Sequence, residues 1–116
     1  MEVGVYGTAT GAAAMVLGLV LVGCSSAAAV ATIELRAAAF EPENVTVAAG
    51  AAVRWSNIDG FDHTVTAGAP DAPAEGVFRS ELAAGDTFQR TFDEAGAFPY
   101  FCEIHPVNMT GTVTVR

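Results

Sequence analysis

No charged side chain occurs between Val3 and Ile33, whereas from Glu34 onward apolar and polar positions alternate over short β-branched or aromatic runs. Glycine, proline, asparagine or aspartate interrupts these runs about every ten residues, which is the spacing of strands in an all-β sandwich. No long helical period occurs in this part. Residues 32–38 form a candidate first strand, and Phe40 and Pro42 lead into Val45-Thr46-Val47, whose two valines share a face. After a turn at Gly50, Val53-Arg54-Trp55-Ser56 alternates as a half-buried strand requires, and the turn Asn57-Ile58-Asp59-Gly60 leads to the strand His63-Thr64-Val65-Thr66. Residues 67–75 carry Gly68, Pro70 and Pro73 and are expected as a surface loop, after which Val77-Phe78 and residues 87–92 resume strand character. Beyond the turn Glu94-Ala95-Gly96, Phe98, Tyr100 and Cys102 share one face, as do Val113 and Val115. Arg90 falls on the same side as Phe88 and Phe92; either the strand is bulged or it lies at an edge, and the edge is the expectation because the apolar stem packs there while the guanidinium reaches water.

The uncharged first part has a different character. Its apolar heart, residues 12–22, has the length of a signal peptide's central region and falls short of the roughly 20 residues of a spanning helix. Leu21-Val22-Gly23-Cys24 follows, then small residues, a pattern that resembles a bacterial lipobox in which cleavage precedes a lipidated cysteine. The segment before it carries Glu2 and no lysine or arginine, where a signal peptide normally has positive charge. Lipidation at Cys24, a retained uncleaved anchor and an unmodified cysteine all remain open, and each places the rest of the chain outside the cytoplasm. The expected organisation is a signal segment over residues 1–23, a flexible tether over 24–31 and a single domain over 32–116.

Charge narrows the partners. With 13 acidic residues against five basic ones the net charge is -8, so the positive face that nucleic acid demands cannot be assembled. An anionic membrane surface is an equally poor electrostatic partner, which leaves the anchor as the only expected link to a membrane. A domain of this size buries a core with modest margin. If Cys24 is acylated, no second cysteine remains for a disulfide and Cys102 is a lone thiol in an oxidising compartment.

That directs attention to a metal. The chain has two histidines, His63 and His105, and its single methionine beyond the export segment is Met109. Three of the candidates fall within Cys102-Glu103-Ile104-His105-Pro106-Val107-Asn108-Met109, one loop between two strands, and His63 stands at the end of an earlier strand. Each residue also has an ordinary explanation: a hydrogen-bonded histidine, a small buried thiol, a gap-filling methionine. Their concentration on one possible coordination set favours a shared metal. Two imidazoles and a thiolate in a plane, with a weak axial thioether, make the blue-copper donor set; zinc gains little from a thioether, and calcium or magnesium wants oxygen. One copper ion cycling between Cu(I) and Cu(II) is the expectation.

The sequence also resembles the cupredoxins, in particular the plastocyanin, amicyanin, halocyanin and pseudoazurin group. The resemblance covers residues 32–116 and rests on Phe40-Glu41-Pro42, Val45-Thr46-Val47-Ala48-Ala49-Gly50, Val53-Arg54-Trp55-Ser56-Asn57, Phe61-Asp62-His63-Thr64-Val65, Phe92-Asp93-Glu94-Ala95-Gly96, Tyr100-Phe101-Cys102-Glu103-Ile104-His105-Pro106 and Met109-Thr110-Gly111-Thr112-Val113-Thr114-Val115. It implies a Greek-key β-sandwich in which His63 and His105 bind through Nδ1, Cys102 binds as thiolate and Met109 is axial. It further implies that Asn57 and Thr64 brace the ligand loops by hydrogen bonds near the sulfur. Three residues separate His105 from Met109 here, between the two of amicyanin-like and the four of plastocyanin-like loops, so the axial contact is where this chain sets its own terms.

The function expected on these grounds is one-electron transfer between extracytoplasmic redox proteins, by a monomer that is not an enzyme. The electron would leave through the edge of His105, framed by Pro106, Val107 and Phe61, and an acidic surface would favour cationic donors and acceptors. A copper carrier or buffer protein is the alternative, although such proteins often use methionine- and histidine-rich motifs. Multicopper oxidases and nitrite reductases share the fold and need further copper sites and domains.

Overall fold

A computed structural model describes residues 29–116; the expected signal segment, Cys24 and most of the tether lie outside these residues. Among the described residues ten strands follow in chain order: β1 Val30–Arg36, β2 Ala39–Glu41, β3 Asn44–Val47, β4 Ala51–Asn57, β5 His63–Ala69, β6 Ala72–Pro73, β7 Arg79–Leu82, β8 Thr87–Phe92, β9 Gly96–Phe101 and β10 Thr110–Val115. They form two sheets. One has the order β3-β10-β9-β5-β6, with β7 also paired to β5, and the other the order β2-β1-β4-β8. Sandwich architecture is thus as the alternation predicts, with no helix among the described residues.

The two sheets meet over side chains from alternate positions. Ile33 and Leu35 of β1, Val53 and Trp55 of β4, Phe92 of β8, Tyr100 of β9 and Val113 and Val115 of β10 are buried in one core. Trp55 is at its centre, with ring centroids 5.4 Å from both Phe88 and Tyr100. Fully burying side chains of this size stabilises by about 1.5–3 kcal/mol each, which is how a small sandwich offsets its chain entropy. Cys102, Met109 and His63 belong to the same buried interior, so three of the four candidate ligands stand inside the domain, and His105 is partly exposed.

Several boundaries differ from the expectation, each for a local reason. The first strand begins at Val30, because Val30 and Ala31 pair with Ala52 and Val53; the last residues assigned to the tether are therefore in the sheet. It ends at Arg36 rather than at residue 38. Ala37 and Ala38 take φ of 53° and 55°, a left-handed turn that costs non-glycine residues about 1–2 kcal/mol each. Both of their amides donate to the Asp59 carboxylate, at 2.7 and 3.0 Å, which offsets that cost from another loop. Residues 67–75 are not all loop: β5 runs on to Ala69 and turns back through β6, with Gly68 opposite Pro73. Gly68 has φ of 104°, and a Cβ there would strike the Ala74 amide nitrogen. Val77 lies in a turn and Phe78 outside any strand, while the strand of this region is the polar β7, which pairs with β5 from His63↔Leu82 to Thr66↔Arg79. Arg90 lies on β8, at the edge of its sheet and without a bulge, as expected. Its guanidinium lies 4.8 Å from the Phe92 ring centroid and 5.2 Å from that of Phe78.

Candidate metal centre

His63 is the first residue of β5, so the sheet fixes its backbone and the preceding loop must close without strain. Asn57, the last residue of β4 and fully buried, does this closing. Its side-chain amide donates to the carbonyls of Phe61 (2.9 Å) and Leu82 (3.0 Å), and its Oδ1 accepts from the Asp59 amide (2.9 Å). Asn57 therefore braces the ligand loop as the resemblance implies, but through the Phe61 and Leu82 carbonyls and not at the sulfur. The N–H on the sulfur is that of Thr64, 3.3 Å from Cys102 Sγ.

Cys102 directly follows β9, and the loop behind it is hydrogen-bonded at both ends. The Cys102 amide donates to the Met109 carbonyl (2.9 Å), and the amides of Met109 (3.0 Å) and Asn108 (3.3 Å) donate to the His105 carbonyl. Pro106, Val107 and Asn108 thus fill one α-turn, the shape that a three-residue separation permits. Thr64 ties the loop to β5 a second time, its hydroxyl accepting from the Glu103 amide at 2.8 Å. The Glu103 carboxylate in turn accepts from Arg79 Nε and Thr66 Oγ1, both at 2.6 Å. Those two contacts, Arg79 first, hold its carboxyl below the usual carboxylate range.

These braces bring three donor atoms together. Cys102 Sγ lies 3.8 Å from His63 Nδ1 and 4.0 Å from His105 Nδ1, and the three ligand atoms all fall within 4.8 Å of one another. Bonds of about 2.3 Å to sulfur and 2.0–2.1 Å to nitrogen, 120° apart, would separate sulfur from nitrogen by about 3.7–3.8 Å. A tetrahedral angle would bring them to about 3.5 Å. The separations present, 3.8 and 4.0 Å, place the three donors around one shared ion, and one soft sulfur with two imidazoles fits copper. His63 and Cys102 are fully buried and His105 partly so. Met109 is fully buried in the same core cluster, directly before β10.

One participant was read from the sequence only as part of a turn. Asp59 Oδ2 lies 2.7 Å from His63 Nε2. A carboxylate accepts only, so Nε2 is the donor of this pair, and the neutral ring then has its lone pair on Nδ1, the atom that faces the sulfur. Burial pushes the Asp59 carboxyl up, but the Ala38 amide, the His63 ring and the Ala37 amide outweigh it and hold the group below its ordinary value. An aspartate four residues before a candidate ligand was the available signal, but only the folded loop shows its partner.

Around the His105 ring is an apolar rim. Phe61 is half-exposed, its ring centroid 6.0 Å from that of His105 and 4.9 Å from that of His63. Ile104 is exposed, and Val107, at 88%, is the most exposed large apolar residue of the described chain.

Comparison with known proteins agrees with this geometry. Residues 27–116 match the family described as copper binding proteins, plastocyanin/azurin family. A plastocyanin from Scenedesmus fuscus is 38% identical over 84 residues, covering 66% of this chain and 86% of its own. A purple cupredoxin from Nitrosopumilus maritimus superposes with a TM-score of 0.67 at 29% identity, over 74% of this chain and 99% of that one. A reduced amicyanin superposes at 0.64 and 27% identity, over 75% of this chain and 82% of its own. With a buried Cys102 facing two Nδ1 atoms and a family match over the whole described region, the chain belongs to the plastocyanin/azurin family of copper-binding proteins.

Proposed function

We propose that this protein is a blue copper electron carrier working outside the cytoplasm, in which His63, Cys102 and His105, with Met109 beside them, would hold the copper. The observation that carries the reading is the pair of Sγ···Nδ1 separations, 3.8 and 4.0 Å, held by strand ends and hydrogen-bonded loops. Copper bound there supplies a one-electron couple between Cu(I) and Cu(II). The chain's own part is to keep its donors in one arrangement for both oxidation states, and β5, β9 and the α-turn after His105 are suited to that. The Thr64 amide, pointing at the sulfur, stabilises negative charge on it and restrains its direction.

A carrier rather than a catalyst is supported by access. His63, Cys102 and Met109 are fully buried, which leaves His105 as the ligand an approaching molecule can reach. Electrons would pass through its ring edge to a partner seated on Phe61, Ile104, Pro106 and Val107. Redox encounters of this kind are typically small and short-lived. The excess of acidic over basic residues, which loss of residues 1–23 with Glu2 leaves in place, favours cationic donors and acceptors. Residues 1–23 are proposed as the export segment and Cys24 as its lipidated end, and mass spectrometry of the exported protein tests this: an intact Met1 terminus rules out cleavage before Cys24.

Adding Cu(II) to the purified protein is expected to give an intense visible absorption at one equivalent, from thiolate-to-copper charge transfer, and a reversible voltammetric wave. Cys102→Ser and His63→Ala should each abolish the absorption. A colourless complex that holds Cu(I) tightly and gives no reversible wave would favour the alternative, a copper carrier or buffer.

A further inference from the structure

We propose that Asp59 is a positioning residue of the copper centre: its carboxylate locks the His63 ring in the Nε2–H form and sets a fixed negative charge behind it that favours Cu(II). The inference rests on the proposed ligand role of His63. Three observations converge on it. The Oδ2 to Nε2 distance is 2.7 Å, and the histidine is fully buried, so water does not compete for that proton. The Asp59 side chain is only 12% exposed, so its charge is poorly screened. It is also held from three sides, accepting from the amides of Ala37 and Ala38 in addition to the His63 ring, while its own amide is held by Asn57. A ring tied to a group so anchored cannot swing away from the sulfur without giving up its bond to Asp59, which the β1–β2 turn keeps from following it.

The direction of the electronic effect follows from charge. A carboxylate accepting the Nε2 proton makes Nδ1 the more basic donor, and the higher-charged ion gains more from a basic donor and from a nearby anion. Asp59 therefore lowers the reduction potential. Partners behind a ligating histidine are typically worth 10- to 100-fold in metal affinity, and the expected preference is at the lower end because both oxidation states share the ligand. Asp62, next to His63 in the chain, carries the same charge but is exposed and makes no hydrogen bond to the ring. It separates contact from mere charge.

The experiment compares wild type, Asp59→Asn and Asp62→Asn by visible spectroscopy and voltammetry. Asparagine can still accept from Nε2–H through its oxygen but has no charge. Asp59→Asn is expected to keep the visible absorption and to shift the Cu(I)/Cu(II) ratio about tenfold toward Cu(I) at a given ambient potential, a rise of about 59 mV for a one-electron couple. Asp62→Asn should move it much less. An unchanged potential in coloured Asp59→Asn, or an equal shift in Asp62→Asn, overturns the proposal while the ligand assignment stands; a colourless wild type overturns the ligand assignment itself. Should Asp59→Asn fail to fold, nitrogen-15 NMR of metal-free wild type decides: His63 as the Nε2–H tautomer with a slowly exchanging ring proton supports the proposal, and an Nδ1–H tautomer contradicts it.

Discussion

At the scale of single residues, the sandwich depends on positions that leave no room for adjustment. Gly111 stands opposite Tyr100 in the β9–β10 pair, and a Cβ at residue 111 would collide with the Tyr100 hydroxyl and the Glu43 carbonyl. Those two groups are hydrogen-bonded to each other at 3.0 Å, and burial pushes the phenol well above its ordinary value. Gly111→Ala must therefore move Tyr100 off Glu43 or push the strands apart, and overpacking of this kind costs about 1–3 kcal/mol. A lowered urea midpoint with an unchanged slope is the expected result. Met109 tests the loop instead. On the axial role that the resemblance implies, Met109→Leu removes a donor and leaves a group of similar volume, so the visible absorption should persist while the potential rises, on the order of a tenfold change in the Cu(I)/Cu(II) ratio. Loss of colour in that variant would mean that the methionine shapes the site by packing.

At the scale of elements, what alternation encodes and what it hides are both visible. Strand β8 has the expected bounds because Phe88, Arg90 and Phe92 alternate cleanly with polar residues, and its arginine is accommodated by an edge. Arg90→Ala should cost about 0.5–1 kcal/mol, by loss of the cation–π contact with Phe92 and Phe78, with no change in reduction potential. Equilibrium denaturation and voltammetry on the same variant check both halves. By contrast β7, Arg-Ser-Glu-Leu, has no hydrophobic alternation and is a strand only because β5 offers a ladder to pair with. The continuation of β5 through Gly68 was likewise hidden, since glycine and prolines read as loop while the close approach to Ala74 is what requires the glycine. The candidate site was legible to the extent that its chemistry is scarce: two histidines and one late cysteine point to one another in the sequence, and the fold brings those three together. Asp59 was not legible, because one among many carboxylates reveals its role only through the ring and the two amides it faces.

At the scale of the whole molecule, a net charge of -8 accompanies the exposed apolar side chains Phe61, Ile104 and Val107. Rates of electron exchange with a small cationic redox protein should fall steeply as ionic strength rises, because attraction between exposed charges is screened beyond about 8–10 Å at ordinary salt. Rates that ignore salt would locate docking on the rim alone. Whatever the partner, the account stands on one arrangement of donors, and X-ray absorption at the copper edge tests it most directly. Recorded on the loaded protein before and after reduction, it should show one short sulfur and two imidazole nitrogens in both oxidation states with little change in distance. A shell of nitrogen and oxygen alone, or a set of ligands that differs between Cu(I) and Cu(II), would contradict it.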